Sequence, residues 1–259
     1  MAMGLAGFKG TRVYANRATP AQMLLDLRQL AAIDARCERC RRIATWTLVA
    51  AILTLVLAVI WPLPLDESIK RMVGIGAAAF IVASILMRLW FGRTNFSNNR
   101  YMLFGELLRL LGRDMAREAE VQAELDLAPP NVKRKYSSQG QIRQWKVTNY
   151  RDPWLRLAGR FADGTSFQIE VCELFQVRAR WAQSRSGKSK HKSKTKTATR
   201  VSVKLYPKAG KYGDLDVIRD RALAFLKIPS WLQLKRLETT AESLAIVTAT
   251  KVPWSVRRI

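Results

Sequence analysis

Residues 43–65 read IATWTLVAAILTLVLAVIWPLPL, 23 residues without a single charge. At 1.5 Å of rise per residue, a helix of this length crosses the roughly 30 Å hydrocarbon layer of a bilayer. A core helix of a soluble protein would keep at least one polar face, and this stretch has none. Pro62 and Pro64 fall at its far end, where a helix can stop without losing ladder bonds in lipid. The stretch predicts a transmembrane helix. A second apolar run, residues 72–91, follows a short polar connection and is interrupted only by Arg88. One turn from the run's end, the arginine stem can lie in lipid while its guanidinium reaches the headgroups. The two runs predict a transmembrane hairpin. Gly74, Ala78, Ala79 and Ala83 put small residues at i, i+4 spacing on the second helix. Such a seam lets backbones approach closely, within the hairpin or between protomers; alanine abundance alone produces the same pattern.

Charge gives the orientation. Arg28, Arg36, Arg39, Arg41 and Arg42 precede the first run, and Arg88, Arg93 and Arg100 end or follow the second. Under the positive-inside rule both termini are cytoplasmic, with a small loop outside. A 42-residue basic segment before the first apolar run argues against a cleaved signal peptide. The first 25 residues contain Lys9, Arg12 and Arg17 and no acid, which leaves an organelle transit peptide as a minor alternative. Richness in Ala, Arg and Leu points to a bacterial inner membrane.

Helical signals flank the hairpin. Thr19-Pro20-Ala21-Gln22 has a capping threonine, proline at the first helical position and glutamine where a capping box places it. Met23, Leu27, Leu30, Ile33 and Cys37 then form one apolar stripe. A second amphipathic helix is expected over residues 99–127, a stalk of roughly 40 Å ending at Pro129-Pro130. Its apolar stripe departs from strict heptads, so a long coiled coil is not expected.

Over the whole chain of 259 residues, 44 Lys+Arg face 20 Asp+Glu, a formal net charge of +24. Half the residues are apolar, which excludes a disordered basic tail. Three cysteines are too few, and odd in number, for a secreted disulfide scaffold. From residue 94 onward there are 32 Lys+Arg and 15 acids, so most of the excess lies in the C-terminal half. There the period changes. Residues 154–161 alternate, Asp163-Gly164 is a hairpin turn signal, and residues 166–175 alternate again, with Phe167, Ile169 and Val171 on one face and Gln168, Glu170 and Cys172 on the other. Val177, Ala179 and Trp181 continue beyond an expected bulge, and Val201, Val203 and Leu205 form a strand ended by Pro207. A helix opening at Asp214 and a strand from Leu244 complete a small basic α+β domain over residues 131–259. The expected fold is therefore α+β, with segments 1–42, 43–92, 93–130 and 131–259.

The most unusual stretch in the domain runs from Arg185 to Arg200, where Lys188, Lys190, Lys192, Lys194 and Lys196 recur every second residue with Ser, His or Thr between. If extended, one face carries the ammonium groups and the other the hydroxyls; if mobile, the stretch is a cationic loop at a hairpin tip. The candidate anion-binding set is Arg185, these five lysines and Arg200. Its partners would be anionic lipid headgroups, nucleic acid or an acidic protein, beside the lipid bilayer itself. Solubility and protection of a strand edge would place lysines there too. Trp145, Trp154, Trp181 and Trp231 are available for stacking, with Trp154 and Trp181 read as core or interface residues.

Signals of catalysis are weak. Gly187-Lys188-Ser189 lacks the upstream glycine of a phosphate-binding loop, since Ala182 stands there. Cys37-Glu38-Arg39-Cys40 has no second ligand pair for zinc, and His191 is the only histidine. Asp163 and Glu170, on two arms of a hairpin, loosely match a pair of metal-holding carboxylates, but Cys172 occupies the position such a site gives to lysine. Asn95-Phe96-Ser97 is a glycosylation sequon placed on the cytoplasmic side within a few residues of lipid. No metal and no cofactor is expected. The sequence thus describes a two-span membrane protein presenting a basic domain to an anionic partner, as an oligomer or a subunit of a membrane complex. The alternative is a membrane-tethered enzyme acting on lipid or nucleic acid through a carboxylate such as Asp163 or Glu170.

Overall fold

A computed structural model describes residues 8, 11–60, 67–92, 98–183, 187–208, 210–240, 242–250 and 257–258. The end of the first apolar run with Pro62 and Pro64, the sequon at Asn95, and Arg93 and Arg185 lie outside them. The fold is α+β and divides into two units, residues 26–98 and a second unit built from residues 1–25 and 99–259.

In the first unit, helix α1 (Pro20–Ile60) and helix α2 (Glu67–Gly92) are both long and apolar enough to cross a membrane. Few side chains in their apolar windows are buried; Trp46, Ile75, Phe80 and Trp90 are among the most exposed. Thr19 precedes α1 as expected, its hydroxyl accepting from the Gln22 amide at 3.4 Å. The α1 stripe differs from the expected one after its first three members. Met23, Leu27 and Leu30 are buried, but Ile33 is exposed and the fourth buried residue is Asp34. At about 100° per residue, position 34 returns to the angle of position 23, whereas position 33 falls a quarter-turn short.

The small residues buried on α2 are Ala77 and Ser84, with Gly74 half-buried. Ser84 and Thr47 of α1 share a hydroxyl–hydroxyl hydrogen bond of 3.1 Å, and Ala44 is buried one turn before Thr47. Ala78, Ala79 and Ala83 are exposed. The intrachain seam therefore runs 74–77–81–84, in steps of 3, 4 and 3 residues, so Gly74 of the expected set lies on it and Ala78, Ala79 and Ala83 lie beside it.

Among the described residues the second unit is one antiparallel sheet of nine strands. Seven lie in the order β1 (Val13–Ala18), β2 (Val121–Asp126), β4 (Trp145–Arg160), β5 (Ser166–Gln183), β6 (Ser189–Tyr206), β8 (Leu244–Thr250) and β7 (Leu232–Thr239). Strand β3 (Tyr136–Ile142) pairs with the first half of β4, and the short β9 (Arg257–Arg258) with the middle of β6. The long strands β4, β5 and β6 thus traverse two regions. Their halves nearest the 163–164 turn, with β1, β2, β7 and β8, form a body; their other halves, with β3 and β9, extend as an arm. The transition on β4 is a register shift between Pro153 and Leu155. Proline has no N–H for the ladder, so it sits where the ladder is interrupted.

The body buries one face. Tyr14, Val121, Leu125, Leu155, Leu157, Phe167, Val171 and Leu244 line it, and helix α3 (Asn98–Arg113) contributes Phe104 and Leu108, both fully buried. Tyr14 and Phe104 meet with ring centroids 6.3 Å apart. Each such side chain contributes about 1.5–3 kcal/mol by leaving water. Gly159 is required by this packing: a Cβ there would lie 2.7 Å from the Phe167 ring.

The stalk expected over residues 99–127 is corrected in its second half. Helix α3 stops at Arg113 and residues 121–126 are strand β2. Val121, Ala123 and Leu125 fit a strand period as well as a helical one, and pairing with β1 and β4 decides between them. The sheet accordingly begins with β1, far before residue 131.

Three cations and three carboxylates lie at the junction of α3 with β2, β4 and β5. Arg100 Nη2 reaches Asp152 Oδ2 and Glu173 Oε2, each at 2.7 Å, while Nη1 donates to the carbonyls of Asp126 and Ala128. Lys135 Nζ lies 2.7 Å from Asp152 Oδ1 and 3.1 Å from Asp126 Oδ2, and donates to the Ala128 carbonyl. Arg134 closes the cluster on both Asp126 oxygens at 2.8 Å. Asp152 is completely buried. Arg100→Ala takes a partner from the buried Asp152 and from the half-buried Glu173 and is expected to cost about 3–5 kcal/mol. Arg17→Ala, which breaks the exposed pair with Glu120, is expected to cost under about 1 kcal/mol. Denaturant unfolding of both variants in detergent checks the contrast.

A cationic strand face as the candidate functional site

The lysine run of the sequence is strand β6. Of its two sequence alternatives, extended or mobile, residues 189–206 take the extended one, paired throughout with β5. Lys190, Lys192, Lys194 and Lys196 therefore share one sheet face, and opposite them on β5 stand Ala182, Arg180, Arg178 and Gln176. Lys188 precedes the strand, and Arg200 continues the same face toward the body. Lys188, Lys190, Lys192, Lys194 and Arg200 are exposed and Lys196 is half-buried.

Register adds members that spacing along one strand does not reveal. Trp145, at the start of β4, has the Arg180 guanidinium 4.6 Å and the Lys194 ammonium 5.5 Å from its ring centroid. Next to it runs a ladder of polar side chains across three strands. Asn149 donates to Ser138 Oγ at 3.0 Å, Gln176 donates to Asn149 Oδ1 at 2.8 Å, and Arg178 donates to Gln176 Oε1 at 2.6 Å. The arm segments 136–151 and 174–200 together carry twelve Lys+Arg and no acid. These segments supply no carboxylate of their own, although Glu170 of the body pairs with Arg151, and their charges sum into a positive field.

On the opposite face of the arm, Tyr136, Tyr150 and Phe175 form an aromatic row with centroids 6.2–6.3 Å apart. Trp181, expected in a core or interface, is 72% exposed near the arm's tip and packs edge-on against His191 at 5.2 Å. Among the described residues no second layer covers the ring there. Trp154 is buried as expected, with Arg100 5.2 Å from its centroid.

The cationic face continues onto the body as a concavity of about 860 Å³. Arg17, Arg151, Arg156 and Lys204 line it with Gln122 and Gln168. Glu170 pairs with Arg151 and Arg156 at 3.4 Å, and Glu124 with Arg156 at 3.3 Å, so cations outnumber carboxylates here too.

The groups weighed for catalysis are otherwise engaged. Asp163 holds its own turn: its two oxygens accept from the Thr165 amide at 2.8 Å and the Thr165 hydroxyl at 3.0 Å, and Tyr212 O–H donates to it as well. Gly164, at φ 94°, supplies the left-handed residue of that turn. Glu170 is paired as above. Burial pushes the Cys172 thiol above its usual range, against the lowering pull of the adjacent Arg151 guanidinium. Cys37 and Cys40 are half-buried thiols. Among the described residues no group of three His, Cys, Asp or Glu is placed to hold a metal ion. The chain matches no protein-family model, no curated protein and no solved structure.

The hydrogen bond from Tyr212, followed by the Thr165 amide, holds the Asp163 carboxyl below its ordinary range. Because folding lowers that value, the contribution to stability is present above the unfolded carboxyl range and is lost as pH falls through the folded one. In Tyr212→Phe the folded carboxyl is expected to titrate closer to its ordinary value, which the ¹³C shift of the Asp163 side chain reads directly.

Proposed function

We propose that the protein is anchored in a bacterial inner membrane by α1 and α2, keeps both termini in the cytoplasm, and docks an anionic ligand or partner on its cationic strand face as a subunit of a membrane complex. The observation that carries this reading is the acid-free arm, where Lys190, Lys192, Lys194, Arg178 and Arg180 converge on one face. Among the described residues none of those five charges is in an ion pair; the ion pairs that hold the second unit together lie elsewhere, around Asp152.

Two features support the membrane part. The side chains of α1 and α2 within their apolar windows are almost all exposed, which in water would be an aggregation surface and in lipid is the ordinary arrangement. Strand β1 also lies before the two apolar helices and its partner β2 after them. A hairpin that crosses twice returns the chain to the side it left, and the β1–β2 pairing is compatible with that crossing number alone or with none. The arginines flanking both helices favour the cytoplasm as that side under the positive-inside rule.

The topology is tested with tags at each terminus in membrane vesicles of both orientations. Both tags are expected to be digested in inside-out vesicles and protected in right-side-out ones; opposite fates for the two tags contradict a two-span chain. Docking is tested with the full chain in neutral phosphatidylcholine nanodiscs, beside a variant with Lys188, Lys190, Lys192, Lys194 and Lys196 changed to Gln. Inorganic polyphosphate, RNA and vesicles containing phosphatidylglycerol serve as probes. At about 150 mM salt, where weak surface attraction is largely screened, at least one probe is expected to bind the native chain tenfold or more tightly than the variant. Equal binding by both chains to every probe contradicts the docking role and leaves the lysines as solubilising charge.

A further inference from the structure

We infer that the anion is a single-stranded nucleic acid, laid lengthwise along β6 from the arm onto the concave part of the body. This inference rests on the docking reading above and specifies its ligand. Its first ground is that the cations form a line. Lys188, Lys190, Lys192, Lys194, Lys196, Arg200 and Lys204 all fall on the even register of one strand region, interrupted only at Ala198 and Ser202. With two residues per step, neighbouring charges sit about 6.6 Å apart, and the line from 188 to 204 is about 53 Å long. That step is close to the separation of successive phosphates along an extended single strand. A lipid headgroup layer is a two-dimensional fluid that rewards the number of charges and is indifferent to their spacing along a line.

The second ground is what lies beside the line. Trp145 is half-buried among cations, and the amides of Gln176 and Asn149 stand one and two strands away from β6 on the same face. An aromatic ring within a positive groove, with amides able to meet base edges, is the chemistry by which proteins hold unpaired bases. Phosphate charge alone requires neither the ring nor the amides.

The third ground excludes a duplex read in its groove. The arm is four strands wide over residues 145–150, and five where β9 joins β6, about 19–24 Å at about 4.8 Å per strand. A B-form major groove is about 12 Å wide and admits two strands. A single strand has no groove to enter and lies flat on the sheet. Its far end reaches the concavity, where Arg151, Arg156 and Lys204 face the last nucleotides and Gln122 and Gln168 offer amides. Glu124 and Glu170 limit the charge there, and their pairs with the arginines, at 3.3–3.4 Å, are long enough to exchange for a phosphate.

The test is fluorescence anisotropy with 5′-labelled oligouridylates of 3 to 20 nucleotides and the full chain in neutral nanodiscs, repeated with a duplex of matched length. One phosphate per two residues gives about eight nucleotides along the line, so affinity is expected to climb with length and level off near eight. Trp145→Ala is expected to weaken the oligonucleotide about 5- to 100-fold and leave inorganic polyphosphate unchanged, with Trp145→Phe restoring most of the loss. The salt dependence of the native chain is expected to flatten stepwise as lysines of the line become Gln. Tighter binding of the duplex, or displacement of the oligonucleotide by phosphatidylglycerol vesicles at equal phosphate, overturns the single-strand assignment while leaving anion docking in place. A Trp145→Ala loss of the same size for polyphosphate overturns the stacking role. No discrimination between native and Gln-substituted chains by any anion overturns both readings.

Discussion

The pairing of Val13–Ala18 with Val121–Asp126 is the constraint on which the rest of the structure depends. It joins two segments more than a hundred residues apart, with both apolar helices between them. Closing so long a loop carries an entropic cost that grows only slowly with length, so a long insertion is tolerated once the ends have strong local contacts. Those contacts are present. Tyr14 and Phe104 meet in the core, the Leu127 amide donates to the Arg12 carbonyl at 2.9 Å, and Arg100 ties the first turn of α3 to β2, β4 and β5. Arg100 follows the second apolar run in sequence, where it counts as a cytoplasmic flanking charge. In the fold it is buried and neutralised by Asp152 and Glu173, so it serves the junction rather than the surface.

The long strands β4, β5 and β6 divide the work along their length. Near the 163–164 turn, their apolar positions close a core under α3. Beyond the shift at Pro153 the same strands leave the core, lose their acidic residues and become a charged arm. Among the described residues β8 and β9 cover only parts of one edge of β6, and the lysines also keep the rest from pairing with another sheet. Edge protection explains charge on β6. It does not explain Arg178 and Arg180 on β5, an inner strand, or the indole of Trp145 held among these cations. The binding reading accounts for all three.

The hairpin was legible because absence of charge over a membrane's thickness is a one-dimensional signal. So were the Asp163-Gly164 turn, the alternation of residues 166–175 and the Asp214 cap, whose side chain accepts from the Asp216 amide at 2.9 Å. Strand β2 was not, because Val121, Ala123 and Leu125 suit either period and only tertiary pairing separates them. The first half of β4 was hidden by Pro153, which ordinarily argues against a central strand. The buried cluster was hidden by distance along the chain: Arg100 meets Asp152 and Glu173 across 52 and 73 residues. The site was half visible. The lysine alternation lies within one strand, whereas Trp145, Arg178 and Arg180 join it only through the β4–β5–β6 register.

Amide hydrogen exchange of the full chain in neutral nanodiscs, with and without saturating oligouridylate, tests the central claim most directly. Slowed exchange is predicted across residues 189–200 and their partners 174–183, with the cluster around Arg100 unchanged because it is already protected. Protection confined to the exposed helix α4 (Leu215–Phe225), or none at saturation, would show that the cationic strand face is not where the anion is held.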